Sequence, residues 1–225
     1  MRIGILQTGH APDALRAEHG DYPDMFTRLL AGQGFDFVTH DVEAMEFPAS
    51  PHDAGGWLIT GSRHGVYEDH PFIPPLEGFI RAAVDAAVPV VGICFGHQII
   101  ARALGGQVEK FVGGWSVGAC DYRIEGRPFR LNAWHQDQVI RPPDGAETIG
   151  SNDFCAHAAL IYGDRAFSVQ SHPEFDSGFI AGLMQTRGAG LVPDDLLDAA
   201  RARLDLPTDS DAMAARIARF FTERR

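Results

Sequence analysis

A cysteine flanked by glycines stands where an apolar run gives way to a helical pattern. Gly92, Cys94 and Gly96 form a G-x-C-x-G arrangement directly after the apolar stretch 88–93. This is the thiol counterpart of the G-x-S-x-G elbow, in which small neighbours let a sharp turn expose one nucleophile. The positive end of the following helix favours a negatively charged sulfur. These residues favour Cys94 as a nucleophile, and the backbone N–H of Phe95 as an oxyanion donor, over an ordinary buried cysteine.

A thiol nucleophile needs a histidine, and that histidine needs a group that fixes its tautomer. Among the ten histidines, His172 directly follows the strand-like stretch 167–170 and is separated from Glu174 by Pro173 alone. Proline keeps the chain extended, so His172 and Glu174 can project from the same side. In isolation a His-Pro-Glu sequence is more often a surface loop. Together with the elbow it predicts a triad of Cys94, His172 and Glu174.

Short β-rich runs alternate with helical patterns through the first half of the chain, which predicts βαβ units and a parallel sheet. The carboxyl ends of parallel strands gather at one edge, so the strands that precede Cys94 and His172 are expected to end side by side. The predicted strands are Ile3 to Leu6, Phe35 to Thr39, Trp57 to Thr60 and Val88 to Ile93, with crossover helices before Gly32 and before Pro89.

The second half of the sequence has a different pattern. Residues 107–139 alternate polar and apolar types between glycines and a proline, which indicates antiparallel strands added to the sheet. Another β-rich block ends at 166–170, and the chain looks helical from about Ser177 onward. We expect one domain over residues 1–225, a three-layer α/β fold with a mostly parallel central sheet, flanking helices and an added antiparallel β segment.

Composition narrows the class of protein. The net charge is −11 and the isoelectric point about 5.2, so a nucleic-acid or anionic membrane partner is not expected. Three widely spaced cysteines fit no disulfide framework, and no stretch resembles a signal peptide or a membrane span, so a cytoplasmic location is expected. The basic C-terminal residues are interpreted as solvated surface: Arg216, Arg219, Arg224 and Arg225.

Neither a metal nor a cofactor is expected from the spacing of the remaining residues. Cys120 and Cys155 lack an elbow and are assigned to structure, and no P-loop pattern occurs. His97 could support the elbow helix from behind. The histidines other than His172 show no metal-ligand spacing: His10, His19, His40, His52, His64, His70, His97, His135 and His157.

Four blocks of this sequence resemble the class I, triad-type glutamine amidotransferases, with the glutaminase domain of guanylate synthetase as the nearest well-known relative. The resemblance lies in Thr60-Gly61-Ser62 as the oxyanion loop, Gly92 to Gln98 as the nucleophile block, Trp134 to Asp137 as a substrate loop, and Ser171 to Glu174 as base and orienter. It implies the class I glutamine amidotransferase fold, which is flavodoxin-like.

The resemblance also implies residue roles. Cys94 would attack the carboxamide of glutamine, and His172, oriented by Glu174, would relay protons. The backbone N–H groups of Gly61 and Phe95 would hold the oxyanion. Gln98, with the loop of His135, Gln136 and Asp137, would contact the substrate. The sequence around Gly61 departs from many relatives in the residues before and after the loop.

Three functions stay open at this point. The first is a stand-alone glutaminase or amidotransferase subunit that passes ammonia to a synthetase on a separate partner chain, since no ATP-binding module is recognisable here. The second is a γ-glutamyl peptide hydrolase, because residues 92–106 also resemble cytosolic γ-glutamyl peptidases that process glutathione conjugates. The third is a regulatory or scaffold domain without catalysis, against which the complete triad argues.

Overall fold

The computed structural model describes residues 1–224, which contain eleven strands, nine of them in one large sheet. The strands are β1 (Arg2–Gln7), β2 (Asp36–Asp41), β3 (Gly56–Ile59), β4 (Val90–Ile93), β5 (Gln107–Lys110), β6 (Ser116–Ile124), β7 (Arg127–His135), β8 (Asp137–Arg141), β9 (Glu147–Ser151), β10 (Ala159–Tyr162) and β11 (Ala166–Val169). Their order in the large sheet is β2-β1-β3-β4-β11-β10-β9-β6-β7. The first five in this order are parallel and the other four pair antiparallel.

Helices cover both faces of the parallel half of the sheet. They are α1 (Asp13–His19), α2 (Tyr22–Leu29), α3 (Ile73–Asp85), α4 (Phe95–Ala103), α5 (Ser177–Leu183), α6 (Asp194–Arg201) and α7 (Ser210–Glu223). One face packs on α3 and α4 and the other on α2 and α7. The side chains of β3 alternate accordingly, since Trp57 and Ile59 join the first core and Leu58 the second. Across residues 1–224 no helix is both long and apolar enough to cross a bilayer.

The three-layer α/β fold with a mostly parallel sheet is confirmed. Strands β4 and β11 are buried along their whole length, as expected for strands covered on both faces. Their parallel pairing places Ile93 beside Val169, so the residues after both strands emerge at the same sheet edge. This register brings the elbow next to the segment that carries His172.

The expectation for residues 107–139 was wrong in part. Strands β6 and β7 form a hairpin that joins the large sheet through β9, as expected. Strands β5 and β8 instead pair with each other in a separate two-stranded sheet. Alternation of polar and apolar residues reports one buried face of a strand but carries no information on its partner strand.

The assignment of the basic C-terminal residues to solvated surface was wrong for Arg216. Its guanidinium lies 4.6 Å from the ring centroid of Phe167, its Nη2 lies 2.8 Å from Glu125 Oε1, and only 4% of the residue is exposed. An arginine can be buried in this way when an aromatic face and a carboxylate replace water. Arg225, named in the same expectation, lies outside the described residues.

Candidate active site

Cys94 occupies a strained turn between β4 and α4. Its φ of 54° is in the left-handed region that a side chain rarely adopts, and its N–H donates to Val169 O at 2.9 Å. A Cβ on Gly92 would lie 2.4 Å from Gly96 O, and one on Gly96 would lie 2.4 Å from Ile59 O. Both glycines are therefore required for α4 to approach the sheet this closely.

His172 and Glu174 form a buried pair beside the elbow. His172 Nδ1 lies 2.7 Å from Glu174 Oε1, and their side chains are 4% and 0% exposed. The imidazole stacks on Phe175 with a centroid separation of 4.0 Å and an interplanar angle of 5°. The N–H of His172 donates to Asn132 O at 2.7 Å. The ring is thus fixed by a carboxylate, an aromatic face and its own backbone.

The second ring nitrogen of His172, Nε2, is available for proton transfer. His172 Nε2 is buried and has no hydrogen-bond partner among residues 1–224. Burial lowers the pKa of His172, but the negative charges of Glu174 and Cys94 outweigh it and raise the pKa to about 10. A histidine whose pKa is raised by a carboxylate and a cysteine has the electrostatics that a thiolate–imidazolium pair requires.

Gly61 lies between these two groups, in the loop after β3. A Cβ on Gly61 would come 2.9 Å from His172 Cε1 and 3.8 Å from Cys94 Cβ. The hydroxyl of Thr8 donates to Thr60 O at 3.0 Å. Because a trans peptide directs its N–H opposite to its C=O, anchoring Thr60 O also fixes the direction of the Gly61 N–H. The N–H of Phe95, in the first turn of α4, has no intrahelical acceptor.

Two hydrogen-bonded glutamines lie next to the elbow. Gln170 Nε2 lies 3.5 Å from Cys94 Sγ, and Gln98 Nε2 donates to Gln170 Oε1 at 3.1 Å. Gln98 Nε2 also donates to Asp137 O at 2.9 Å, which ties the elbow helix to the start of β8. The sequence singled out Gln98 and Asp137 but missed Gln170, whose only signal was its place two residues before His172.

A cleft of about 240 Å³ opens above these residues. The structure places Cys94, His172, Gln98, His135, Gln136 and Asp137 on its walls. Trp134, the first residue of the predicted substrate loop, lines it as well, and so do residues that the sequence reasoning missed, among them Tyr22, Tyr67, Trp115 and Arg187. These come from loops and helices far apart in the chain, so no local pattern pointed to them.

Opposite charges line the cleft. Arg187 lies in a wide helical turn, Met184–Gly188, where Nη2 donates to His10 O at 3.1 Å and Nη1 to Tyr22 Oη at 3.5 Å. Burial raises the pKa of the Asp137 carboxyl, although a hydrogen bond from Tyr67 and the charge of Lys110 oppose this shift. A cation and an acid on the walls suit a ligand that carries a carboxylate and an ammonium group.

The neighbouring histidines and the other thiols are held uncharged. Burial lowers the pKa of both His97 and His135 to about 3, so each imidazole is neutral at physiological pH. His97 Nδ1 lies 2.8 Å from Ser168 Oγ, behind the elbow helix. Burial raises the pKa of Cys155 to about 12 and that of Cys120 in the same direction. Neither thiol is ionised at neutral pH.

The family model of class I glutamine amidotransferases matches residues 40–181. The chain belongs to the class I glutamine amidotransferase family, as the resemblance in the sequence had predicted. A glutamine amidotransferase-like protein of Schizosaccharomyces pombe is 27% identical, with 98% of each chain covered. One subunit of the glutamine-hydrolysing GMP synthase of Halobacterium salinarum is 32% identical over 69% of this chain and 85% of its own length.

Peptidases are also among the relatives. γ-Glutamyl peptidase 2 of Arabidopsis thaliana is 24% identical, with 89% of this chain and 87% of the peptidase covered. A crystal structure of a glutamine amidotransferase from Methylobacillus flagellatus has the same fold, with a TM-score of 0.75 at 23% identity, covering 100% of this chain and 92% of that one. The fold and the family are thus defined. The names of the relatives point to two different reactions, hydrolysis of glutamine and hydrolysis of γ-glutamyl peptides.

Proposed function

We propose that this protein hydrolyses the γ-carboxamide of glutamine, giving glutamate and ammonia. The observation that carries the proposal is that the elbow cysteine, Cys94, and His172 line one cleft, with the buried Glu174 Oε1 2.7 Å from His172 Nδ1. Within the family, such a domain acts as a glutaminase or supplies ammonia to an acceptor. A synthetase on a separate chain is the partner that this function implies.

The reaction proceeds through a thioester. His172 Nε2 takes the proton of the Cys94 thiol, and the sulfur adds to the γ-carbon of glutamine. The N–H groups of Gly61 and Phe95 stabilise the negative oxygen of the tetrahedral intermediate. The carbon–nitrogen bond breaks as His172 gives its proton to the departing nitrogen, and ammonia leaves. Water, deprotonated by His172, then attacks the thioester, and glutamate is released as the proton returns to sulfur.

The cleft walls suit the amino-acid end of this substrate. Arg187 can pair with the α-carboxylate and Asp137 with the α-ammonium group, since both side chains line the cleft. Because Gln98 Nε2 is engaged by Asp137 O and Gln170 Oε1, its Oε1 is the atom that can accept a hydrogen bond from substrate. His135 and Gln136 complete the wall beside Asp137.

Hydrolysis of a γ-glutamyl peptide bond is the second candidate. The aromatic side chains of Tyr67, Trp115 and Trp134 line the cleft, and Tyr67 is 46% exposed. An aromatic wall that reaches solvent could hold an apolar leaving group larger than ammonia. The chemistry at Cys94 would be the same, and only the leaving group would differ. A location in the cytoplasm is proposed for either activity.

A substrate panel separates the two activities. Purified protein is assayed for ammonia from glutamine and for free amine from γ-glutamyl-cysteine conjugates. We expect kcat/KM to be higher for glutamine, and higher values for the conjugates would favour the peptidase. Assays repeated with candidate synthetase chains test for an ammonia acceptor.

Substitution of the nucleophile tests the chemistry itself. Cys94→Ala removes the attacking atom and should lower kcat with either substrate by at least about 10⁴-fold. Cys120→Ser is the matched control, because that thiol is protonated and lies outside the cleft lining. Turnover by Cys94→Ala close to that of the control would exclude the proposed mechanism.

A further inference from the structure

A cluster of two histidines and one carboxylate lies at the mouth of the cleft, in the loop that follows Gly61. Ligand atoms of His64, Glu68 and His70 all lie within 4.8 Å of one another. His70 Nε2 is 2.7 Å from Glu68 Oε2, and His64 Nδ1 is 3.6 Å from the same oxygen. Donor atoms of a tetrahedral zinc ion lie about 3.3 Å apart, so these two distances bracket that spacing.

A fourth residue orients the cluster. Glu43, in the turn after β2, has Oε1 2.8 Å from His64 Nε2. Because a carboxylate only accepts, Nε2 carries the proton of this hydrogen bond. His64 Nδ1, the other ring nitrogen, lies 3.6 Å from Glu68 Oε2, which is too long for a hydrogen bond. A carboxylate on the far side of the imidazole is the usual support of a metal-bound histidine.

We propose that His64, Glu68 and His70 bind a divalent transition metal ion of the zinc class at the mouth of the cleft, with Glu43 as the residue that positions His64. Two imidazole nitrogens and one carboxylate oxygen are the donor set that zinc accepts. The spacing of these ligands along the chain, H-x-x-x-E-x-H, matches no common metal motif, and the sequence alone therefore predicted no metal here.

A metal ion bound at this site would act on the loop that follows Gly61. His64 and Glu68 also line the cleft, whereas His70 lies behind them, with its ring stacked on Phe72. The three ligands come from the loop that continues from Gly61, so one bound ion would restrain this loop. Metal binding itself is independent of the proposed hydrolysis and can be measured without turnover.

The experiment uses the Cys94→Ala protein, because a thiol beside a histidine would itself bind zinc. Calorimetric titration with zinc chloride at neutral pH should show one ion per chain, and zinc should raise the melting temperature. Cobalt in place of zinc should give a visible spectrum without a sulfur-to-cobalt charge-transfer band, since no cysteine belongs to the site. Absence of saturable zinc binding would overturn the proposal.

Three further variants locate the ion. In the Cys94→Ala background, His70→Ala should weaken zinc binding by at least about 100-fold, and Glu43→Gln by about 10- to 100-fold as an orienting residue. His157→Ala is the control, since that imidazole bonds to Thr148 outside the cluster and its loss should leave affinity unchanged. His70→Gln serves in place of His70→Ala if the latter does not fold. Unchanged affinity in the His70 variant would place the metal elsewhere and refute the site.

Discussion

The floor and the mouth of the cleft are built in different ways. At the floor, Cys94, Gly61 and His172 follow β4, β3 and β11, three adjacent buried strands whose parallel pairing sets where each chain segment emerges. At the mouth, Tyr67 stands on the loop after β3 and is 46% exposed, and Arg187 lies in the wide helical turn Met184–Gly188. The comparison suggests that the floor determines the reaction and the mouth determines what is admitted to it.

This division makes kinetic predictions. A change at the floor should reduce kcat with every substrate, because it alters interactions made in the transition state. A change at the mouth should raise KM with little effect on kcat, since those contacts hold the substrate before and during the reaction alike. Substitutions at both places test this division.

Among substitutions that keep Cys94 in place, Glu174→Gln should have the largest effect. The charge of Glu174 helps to raise the folded-state pKa of His172 to about 10, so the imidazolium persists well above pH 6.5 and is lost only as the pH rises through about 10. Without this charge the pKa falls, and the alkaline limb of the kcat/KM profile should move to lower pH. We expect kcat near neutral pH to fall by roughly 10³- to 10⁴-fold.

The control for this variant is Glu147→Gln, at an exposed position of β9. It should leave both the pH profile and kcat unchanged. An alkaline limb that stays in place in Glu174→Gln would show that the carboxylate does not set the ionisation of His172. The pH dependence should be assigned to the coupled Cys94–His172 pair rather than to either group alone.

Arg187→Gln tests the mouth of the cleft. Loss of a charge-assisted contact to the substrate carboxylate should raise KM for glutamine by about 10- to 100-fold, with kcat changed far less. Arg201→Gln, on the exposed side of α6, is the matched control. A fall in kcat at unchanged KM would assign Arg187 to the chemistry and contradict the division between floor and mouth.

Thr8→Val should give the smallest effect at the floor. The substitution preserves shape but removes the hydroxyl that holds Thr60 O, so the Gly61 N–H is less well directed. We expect kcat to fall by about 5- to 10-fold at constant KM, which corresponds to one ordinary hydrogen bond. Thr8→Ser should restore activity, and Thr27→Val, on the surface of α2, should not change it. Loss of stability without loss of kcat would mean that Thr8 is only structural.

The sequence was most informative where the residues of a motif lie close together along the chain. Cys94 stood out as a candidate because its glycine neighbours and the strand–helix transition lie within a few residues, and His172 and Glu174 stood out because they are two residues apart. The alternation of strands and helices predicted the fold class for the same reason. In each case the signal was local in sequence.

The remaining residues act through contacts between distant parts of the chain. Thr8 meets Thr60 across 52 residues, and Gln170 reaches Cys94 across 76. Arg216 was expected in water because its burial depends on Phe167 and Glu125, which are far from it in sequence. The neighbours of these residues in the sequence carry no signal of such contacts, which exist only in the folded chain.

The tight contact among Gly92, Gly96 and Ile59 limits how this protein can diversify. Any side chain at either glycine would wedge the first turn of α4 away from its neighbours and displace the sulfur together with the Phe95 amide. Descendants of this chain that acquire new specificities are therefore expected to inherit both glycines unchanged and to vary in the loops around the opening.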